Sequence, residues 1–241
     1  MSMQLETTGE AEAVLATLVN VRDVATASLD LVEGMLLRSD APFVDDLPVT
    51  SVEAWPPQTV VDLRDPAEKG DAHPYAGHSS IAEVPLFAGN AGTLEHLPGT
   101  LSTLYTGMLS RSTAGQIIQA ISTIAHDEPP VLVHCAAGKD RTGVVIALTL
   151  MLVGIDRAAI VADYVRTNDA MPHVIARLAA TRVEAVQRFA EVPPELLTAP
   201  AYAMEEFLDV VDEHLGGASG WFLSNGGRPE TITALEQRLR R

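Results

Sequence analysis

The residues of this chain best suited to covalent chemistry are a cysteine and an arginine six positions apart. Cys135 is the only cysteine, and Arg141 follows it in the segment Val131-Leu-Val-His-Cys135-Ala-Ala-Gly-Lys-Asp-Arg141-Thr142-Gly143. A cysteine thiolate is a strong nucleophile, and a guanidinium can hold two oxygens of one anion in a way that lysine cannot match. The spacing alone is weak evidence for a catalytic site, so the interpretation depends on the surrounding residues.

The residues around Cys135 predict an anion-binding loop over about 134–142. A buried strand ends at Cys135, small residues follow, and a buried helix begins just after Arg141. Such a loop can turn successive backbone N–H groups inward, and the helix N-terminus adds a partial positive charge. This field favours a nucleophilic thiolate, whereas the alternative for Cys135 is a buried, inert thiol. Besides Arg141, the expected anion-binding residues are Ala136, Ala137, Gly138, Lys139 and Thr142.

Short β-branched runs and a helical pattern precede this loop. The segment Thr113–His126 has apolar residues at helical spacing, and it lies between predicted strands. Strand, helix, strand predicts an α/β fold with a central parallel or mixed sheet flanked by helices. The predicted strands are Thr59–Leu63, Ile81–Leu86 and Val131–His134.

The chain after Thr142 predicts helices almost to its end. Thr142–Val153 is apolar on nearly every side and stops at Gly154, as in a helix buried against a sheet. Asp156 caps a helix to about Arg166, and Pro172 opens a third through about Phe189. The remaining predictions are a loop over Val192–Pro200, helices over about Tyr202–Leu215 and Thr231–Arg240, and a Gly-rich turn over Gly216–Gly227.

The loop resembles the phosphate-binding loop of the cysteine-dependent tyrosine phosphatase superfamily, in which His-Cys is followed by five residues, Arg, and Ser or Thr. The continuation Gly138-Lys-Asp-Arg-Thr-Gly143 is more similar to the atypical bacterial branch of that superfamily. The resemblance spans about residues 18–240. Further segments similar to that branch are Asn20-Val-Arg-Asp-Val-Ala25, Leu37-Arg-Ser39, Val61-Asp-Leu-Arg64, Ile160–Asn168 and Gly216–Asn225.

This resemblance implies a protein tyrosine phosphatase that hydrolyses phosphomonoesters through a cysteinyl-phosphate intermediate. Cys135 would attack phosphorus, Arg141 would hold the equatorial oxygens, and Thr142 would hydrogen-bond the departing thiolate. The implied partners are phosphorylated proteins, carrying phosphotyrosine and also phosphoserine or phosphothreonine, or phosphoinositides. No cofactor is implied.

The resemblance also implies a domain organisation: a single phosphatase domain over 1–241, with an α/β core over about 18–155 and C-terminal helices over about 201–241. In the atypical branch two helices cover the active site as a lid, which corresponds here to about 156–190. Ordinary helix packing is the alternative for this segment. The apolar residues that would pack over a pocket are Val174, Ile175, Leu178, Val183 and Val186.

The general acid that protonates the leaving oxygen has two candidates. Conventional members take it from an aspartate on a loop before the cysteine, but between Asp71 and Asp127 the only carboxylates here are Glu83 and Glu95. Asp140 is the leading candidate, because the atypical branch uses an aspartate at this position. Asp65, which follows a predicted strand end, is the alternative.

Several polar residues have more than one interpretation. Lys139 is either a solvated cation that balances Asp140 or a ligand for a second phosphate on the substrate. His134 is expected to hydrogen-bond the loop backbone rather than act as a base. Six further polar residues either line the site or form a buried polar shell that stabilises the fold, and the shell is the favoured interpretation. These residues are Asn20, Arg22, Asp23, Arg38, Asp62 and Arg64.

Two other functions compete with a phosphatase. Sulfurtransferases also place a cysteine in an anion-binding loop, but they lack the strict spacing from cysteine to arginine followed by threonine. A phosphate-binding module with decayed catalysis would not need to retain Cys135, Asp140, Arg141 and Thr142 together. The seven histidines show no spacing that predicts a zinc site, so no metal is expected.

The charge of the chain limits its partners. With 32 Asp and Glu against 16 Lys and Arg, its formal net charge is −16, which argues against nucleic acid and places phosphate recognition at a local site. The N-terminus lacks a secretory pattern, and the longest apolar run, Val144–Ile155, is shorter than the roughly 20 residues of a membrane span. We expect a cytoplasmic protein without stable membrane insertion, with signal-less export as the alternative.

Overall fold

A mixed five-stranded sheet forms the centre of the fold. The computed structural model describes residues 16–86, 99–181 and 193–241. The strands are β1 (Arg22–Asp23), β2 (Leu36–Ser39), β3 (Thr59–Asp62), β4 (Ser80–Glu83) and β5 (Val131–His134). They have the order β1-β2-β5-β3-β4, in which β1 is antiparallel to β2 and the other pairs are parallel. The predicted α/β fold with a parallel or mixed sheet is confirmed.

The carboxyl ends of the parallel strands share one edge of the sheet. Ser39, His134, Asp62 and Glu83 lie side by side in register at this edge. All of β5 is buried, as expected for a parallel strand covered on both faces. Cys135 follows β5 directly, so its loop begins at the edge where open α/β sheets bind ligands.

Helices surround the sheet. The α-helices of the described residues are α1 (Leu101–Gly107), α2 (Arg111–His126), α3 (Asp140–Leu152), α4 (Arg157–Val165), α5 (Thr167–Thr181), α6 (Ala201–Asp212), α7 (Gly217–Ser224) and α8 (Pro229–Leu239). Short 3-10 helices occupy Val24–Ala27, Pro66–Glu68 and Pro194–Leu197. None of the helices in these ranges is both long and apolar enough to cross a membrane.

The two faces of the sheet are covered differently. Val131 and Val133 point to one face, where they join a large apolar cluster with residues of α1–α4 and α6–α8. Leu132 points to the other face, where it packs in a smaller cluster that includes Val52 and Trp55. Because side chains alternate along β5, this one strand contributes to the apolar clusters on both faces of the sheet, and these clusters differ in size.

Most of the predicted elements are confirmed. The structure has strands and helices at β3, β5, α2, α3, α4, α6 and α8 within a few residues of the predicted ends, and β4 is shorter than predicted. Asp156 accepts the N–H of Ala158 as the N-cap of α4. The helix α3 begins at Asp140 rather than Thr142, which places Asp140 and Arg141 in its first turn.

Two of the predicted segments are wrong. Pro172 lies inside α5, which begins at Thr167, and the buried contacts of Ala170, Met171 and Val174 stabilise this helix despite the backbone hydrogen bond that the proline removes. The predicted extension over 182–189, with Val183 and Val186, lies outside the described residues. The predicted turn Gly216–Gly227 contains α7, because burial of Trp221 and Phe222 in the main cluster outweighs the low helix propensity of its glycines. The predicted loop Val192–Pro200 includes the 3-10 helix Pro194–Leu197.

Candidate active site

The backbone carbonyls of the loop after β5 are bound by other parts of the chain. Asn20 Nδ2 donates to the carbonyls of Ala137 and Gly138 at 3.0 and 3.3 Å, and Arg38 Nη2 donates to that of Gly138 at 2.8 Å. The other carbonyls of 134–139 also accept hydrogen bonds, from Leu63 N–H to His134, from His134 Nδ1 to Cys135, from Ala41 N–H to Ala136 and from Gly143 N–H to Lys139.

The backbone N–H groups of residues 136–141, in contrast, donate to no acceptor within the described residues. A loop is suited to bind an anion when its carbonyls already accept hydrogen bonds and its successive N–H groups have no acceptor. The first turn of α3 lies in the same segment and adds the positive end of the helix dipole. Residues 136–141 thus combine N–H groups without acceptors and a helix N-terminus, and anion binding by 134–142 stays a prediction.

Gly138 is the residue that lets this loop pass close to β2. Its φ is +67°, and a Cβ built on it would lie 2.2 Å from the carbonyl oxygen of Ser39. Any side chain at this position would collide with backbone, and an L-residue disfavours this φ as well. The position therefore requires glycine.

Arg141 is held by a carboxylate that faces it with both oxygens. Its Nη1 and Nη2 donate to Oε2 and Oε1 of Glu68 at 2.5 and 2.7 Å. Glu68 belongs to the 3-10 helix after β3 and also accepts the N–H of Asp65 at 2.8 Å. Burial acts to lower the pKa of Arg141, but the hydrogen bonds to Glu68 and the nearby Cys135 outweigh it, so the pKa lies above its usual range. The guanidinium is charged and fixed in orientation.

Two groups near Arg141 bear on the implied chemistry. Cys135 is 2 % exposed and packs in the main apolar cluster, a burial that both a nucleophile inside the loop and an inert thiol would show. The hydroxyl of Thr142 is buried and has no hydrogen-bond partner among the described residues. Buried polar groups are normally satisfied, and an exception often marks a functional group. A free hydroxyl is what the implied hydrogen bond to a departing thiolate needs.

Both candidates for the general acid lie near Arg141. Asp140 Oδ1 accepts a hydrogen bond from the Tyr105 hydroxyl at 2.7 Å and lies 3.3 Å from Lys139 Nζ. The pKa of Asp65 is raised, first by burial and then by the charge of Glu68, and its Oδ1 is buried without a partner in the described ranges. A raised pKa suits a proton donor, so Asp65 remains an alternative to Asp140.

The upstream carboxylates do not compete with these two. Glu83 is exposed at the end of β4 and lies 3.6 Å from Lys69. Glu95 lies outside the described residues.

Lys139 is buried rather than solvated. Only 2 % of it is exposed, and its Nζ donates to the carbonyls of Leu196 and Thr198, the latter at 3.0 Å, besides lying near Asp140. The lysine thus connects the loop to the segment before α6. A second substrate phosphate would have to draw Nζ away from these carbonyls.

The polar residues of the N-terminal segment and β2 form a buried shell beneath the loop. Arg22 Nε and Arg38 Nη1 reach the two carboxylate oxygens of Asp163 at 2.7 and 2.5 Å. Arg22 also donates to the Asn20 side chain at 2.6 Å, and so fixes the group that holds the loop carbonyls. Asp23 caps the first 3-10 helix, and Asp62 pairs with Arg64 at 2.8 Å. The structure favours the shell over direct lining of the site.

Two histidines on the other side of the loop form a directional chain of hydrogen bonds. His134 Nδ1 donates to the Cys135 carbonyl at 3.1 Å, which leaves its Nε2 as the acceptor for His73 Nε2–H at 3.0 Å. His73 Nδ1 accepts the N–H of Tyr75 at 3.1 Å. Burial lowers the pKa of His73 to about 4 and that of His134 to about 3, so both are neutral at pH 7. His134 therefore binds the loop backbone, as predicted.

These histidines and Asp62 bring three potential metal-ligand atoms within 4.8 Å of one another. However, Arg64 Nε and Nη2 donate to the two oxygens of Asp62 at 3.0 and 2.8 Å, and Lys69 Nζ lies 3.6 Å away. Burial acts to raise the pKa of Asp62, but the hydrogen bonds and the charge of Arg64 hold it below its usual range. A cation would have to share this carboxylate with two others, so the donor set suits an ion-pair cluster better than a metal.

Comparison with known proteins agrees with this geometry. The profile of the tyrosine phosphatase family matches residues 13–241. The chain belongs to the tyrosine phosphatase family.

Two known phosphatases are similar to this chain over part of their length. The triple specificity protein phosphatase PtpB of Mycobacterium tuberculosis is 41% identical over 116 residues, which cover 47% of this chain and 41% of the relative. A tyrosine-protein phosphatase of Nostoc commune is 41% identical over 69 residues, 28% of this chain and 23% of the relative. The matches thus span less than half the length of either relative.

Three residues near the phosphatase loop were not predicted to act there: Glu68, Tyr105 and His73. Glu68 stands three residues after Asp65 and follows Pro66, a spacing that predicts a helix N-terminus and hence a carboxylate turned back toward Asp65. Tyr105 lies in α1, a helix that the sequence patterns do not predict, and His73 lies between β3 and β4. No local pattern shows that either approaches the loop.

Proposed function

We propose that this chain hydrolyses phosphomonoesters, phosphotyrosine first among them, through a phosphocysteine intermediate. The observation that carries the proposal is the loop 134–141, whose carbonyls at 134–139 all accept hydrogen bonds while its N–H groups at 136–141 have no acceptor in the described ranges. Such a loop, with a cysteine at one end and a fixed guanidinium at the other, fits the three equatorial oxygens of a phosphoryl group. Membership of the tyrosine phosphatase family supports the same chemistry.

The proposed reaction has two steps. In the first, Cys135 Sγ donates an electron pair to phosphorus as the ester P–O bond breaks, and Asp140 gives its proton to the leaving oxygen. In the second, water attacks phosphorus, its proton passes to Asp140, and Cys135 leaves as a thiolate that accepts a hydrogen bond from Thr142. Arg141 and the loop N–H groups hold the phosphoryl oxygens in both steps.

The substrate range that we propose includes phosphoserine, phosphothreonine and phosphoinositides besides phosphotyrosine. The Mycobacterium tuberculosis relative is named a triple specificity phosphatase, which supports a broad range. The net charge of −16 disfavours an anionic membrane surface, so a phosphoinositide would have to reach the site as a discrete headgroup. Lys139 would assist only after leaving its carbonyl partners.

We also propose that residues 1–241 form a single phosphatase domain in which the helices after residue 155 cover the site. Ala170, Met171 and Val174 of α5 form an apolar cluster against which Ala137 of the loop packs. Ile175 and Leu178, two further residues of the apolar set, pack against the same cluster. This contact supports a lid at α5 rather than helix packing remote from the loop.

One experiment tests the proposed activity. Phosphate release is measured in parallel from a phosphotyrosine peptide, a phosphoserine peptide and a short-chain phosphoinositide, with wild type and Cys135→Ser. We expect release from the phosphotyrosine peptide by wild type and none above background by Cys135→Ser. Residual turnover in that variant would contradict the phosphocysteine mechanism. Loss of lipid turnover alone in Lys139→Ala would support a second-phosphate role.

The general acid is tested by a pair of variants, Asp140→Asn and Asp65→Asn. Without its general acid the enzyme should lose about 10²–10⁴-fold on phenyl phosphate and much less on an activated ester such as p-nitrophenyl phosphate. We expect this selective loss in Asp140→Asn. The same pattern in Asp65→Asn, with Asp140→Asn unaffected, would reverse the assignment.

A further inference from the structure

Two tyrosines from different helices form a hydrogen-bonded chain that ends on Asp140. The Tyr105 hydroxyl of α1 donates to Asp140 Oδ1 at 2.7 Å, and the Tyr164 hydroxyl of α4 lies 2.6 Å from that of Tyr105. A phenol has one proton, and Tyr105 gives its own to the carboxylate. Tyr164 must therefore be the donor to Tyr105, and the chain runs in one direction, toward Asp140.

Both phenols are held where they cannot turn to solvent. Tyr105 is fully buried and Tyr164 is 1 % exposed, and their rings pack edge to face with centroids 5.9 Å apart. Burial, together with the charge of Asp140, raises the pKa of Tyr105 well above its ordinary value. Tyr105 therefore stays protonated, and it can act only as a hydrogen-bond donor to Asp140.

The contacts of Asp140 distinguish its two oxygens. Tyr105 and Lys139 both approach Oδ1, whereas Oδ2 accepts no hydrogen bond from the described part of the chain. With Oδ1 occupied by donors, the proton of the acid form belongs on Oδ2. The carboxyl group is thus oriented with one oxygen fixed and the other free for proton transfer.

We propose that Tyr105, held by Tyr164, is a positioning residue that orients Asp140 for proton donation. The proposal rests on the proposed function, in which Asp140 is the general acid. As Sγ bonds to phosphorus and the ester P–O bond breaks, the Oδ2 proton moves to the leaving oxygen and Asp140 becomes a carboxylate. A hydrogen bond to a charged acceptor is stronger than one to a neutral acid, so the bond from Tyr105 strengthens as the proton leaves.

The test is a double-mutant cycle with Tyr105→Phe, Asp140→Asn and the double variant. Single-turnover release of the phenol is measured from phenyl phosphate and from p-nitrophenyl phosphate. We expect Tyr105→Phe to be about tenfold slower on phenyl phosphate and within about twofold of wild type on p-nitrophenyl phosphate, with KM unchanged. In the Asp140→Asn background the same change should have no further effect, because Tyr105 acts through Asp140.

The control is Tyr75→Phe, which removes the hydroxyl of a half-buried tyrosine packed against the smaller apolar cluster and should leave both rates unchanged. Tyr164→Phe tests the chain one step further away, with an expected loss of about threefold on phenyl phosphate only. It also serves as the second variant if Tyr105→Phe does not fold.

Three results would overturn the proposal. Equal losses on both esters, or an additive loss in the double variant, would show that Tyr105 supports the fold rather than the acid. Wild-type rates in Tyr105→Phe would show that Asp140 needs no positioning. If Asp140→Asn slows both esters equally or neither, Asp140 is not the general acid, and the inference about Tyr105 is wrong for that reason. The proposed phosphatase activity would still be supported if wild type releases phosphate and Cys135→Ser does not.

Discussion

The two sides of the loop 135–141 differ in how completely their polar groups are satisfied. We term one side the carbonyl side and define it as Asn20, Arg22, Arg38 and Asp163. Its buried charges pair with one another, and its side chains donate hydrogen bonds to the loop carbonyls. Among its side-chain atoms only Arg38 Nε has no partner in the described ranges. On the other, the amide side, the N–H groups of 136–141 and the Thr142 hydroxyl have no partners there. Apart from Arg38 Nε, the carbonyl side is satisfied without a ligand, whereas the amide side has donors left for one.

The largest effect should come from breaking the carbonyl side. Arg38→Met removes a buried cation from Asp163 and a donor from the Gly138 carbonyl, which should lower the free energy of unfolding by about 3–5 kcal/mol. Urea unfolding measures this change. The matched control is Arg157→Met, whose partners Asp209 and Asp212 are exposed, with an expected change below about 1 kcal/mol. Similar losses in both variants would contradict a special role for the buried shell.

The second effect tests whether the amide side depends on the close approach to β2. Gly138→Ala places a Cβ against the Ser39 carbonyl, so the loop must shift and carry its N–H groups with it. We expect kcat/KM to fall about 100-fold, the loss typical of a displacement near 1 Å. Gly115→Ala in α2, where a Cβ meets open space, is the control. A fully active Gly138→Ala enzyme would show that the loop tolerates another shape.

A smaller effect should follow from loosening Arg141 on the amide side. Glu68→Gln retains one acceptor but loses the charge and the two-oxygen contact, so the guanidinium is less well oriented. We expect kcat on an aryl phosphate to fall about tenfold with the fold intact. Glu33→Gln, which weakens the exposed pair with Arg241, serves as the control and should leave kcat unchanged. If the two variants behave alike, Glu68 does not position Arg141.

The smallest effect concerns the histidines that connect β5 to the loop. The pKa of His73 is lowered by burial to about 4 against an ordinary value of 6.5, so between these values the unfolded chain binds more protons than the folded one. The contribution of His73 to the free energy of unfolding is therefore fully present above pH 6.5 and is lost as the pH drops toward 4. His73→Gln keeps a donor for His134 but does not titrate.

Urea unfolding at pH 7, 6 and 5 measures this linkage. The dependence on pH should become shallower in His73→Gln, by up to about one proton, and stay as steep as in wild type in the exposed His78→Gln. An unchanged slope in His73→Gln would mean that this histidine does not carry the acid sensitivity.

The sequence predicts the amide side better than the carbonyl side. Cys135, Arg141 and the glycine between them lie within seven positions, and their function follows from a local conformation that strand and helix signals define. Asn20 and Arg38, in contrast, gain their roles only through contacts 117 and 100 residues away in the chain. Periodicity and turn signals carry no information about such pairings, although similarity to family motifs singles these residues out.

The incorrect element predictions have a similar origin. The sequence Gly216–Gly227 predicts a turn from local propensity, but Trp221 and Phe222 bury in a core built by distant helices, and α7 forms. Likewise α1 has no strong signal of its own, yet Leu101 and Tyr105 are fully packed inside the main cluster. Tertiary contacts decide both segments, and Tyr105 reaches Asp140 only because α1 forms.

The long separations of the carbonyl side have a consequence for the order in which the molecule becomes competent during synthesis. Asp163 lies 125 residues after Arg38 and 141 after Arg22, so Cys135 leaves the ribosome before the carboxylate that both arginines require. Until α4 has been made and has packed against the N-terminal segment, Arg38 lacks the partner that aims it at the Gly138 carbonyl. A nascent or truncated chain thus carries its thiol before the contacts that hold the loop carbonyls are complete, and the proposed phosphate turnover would report completion of the fold.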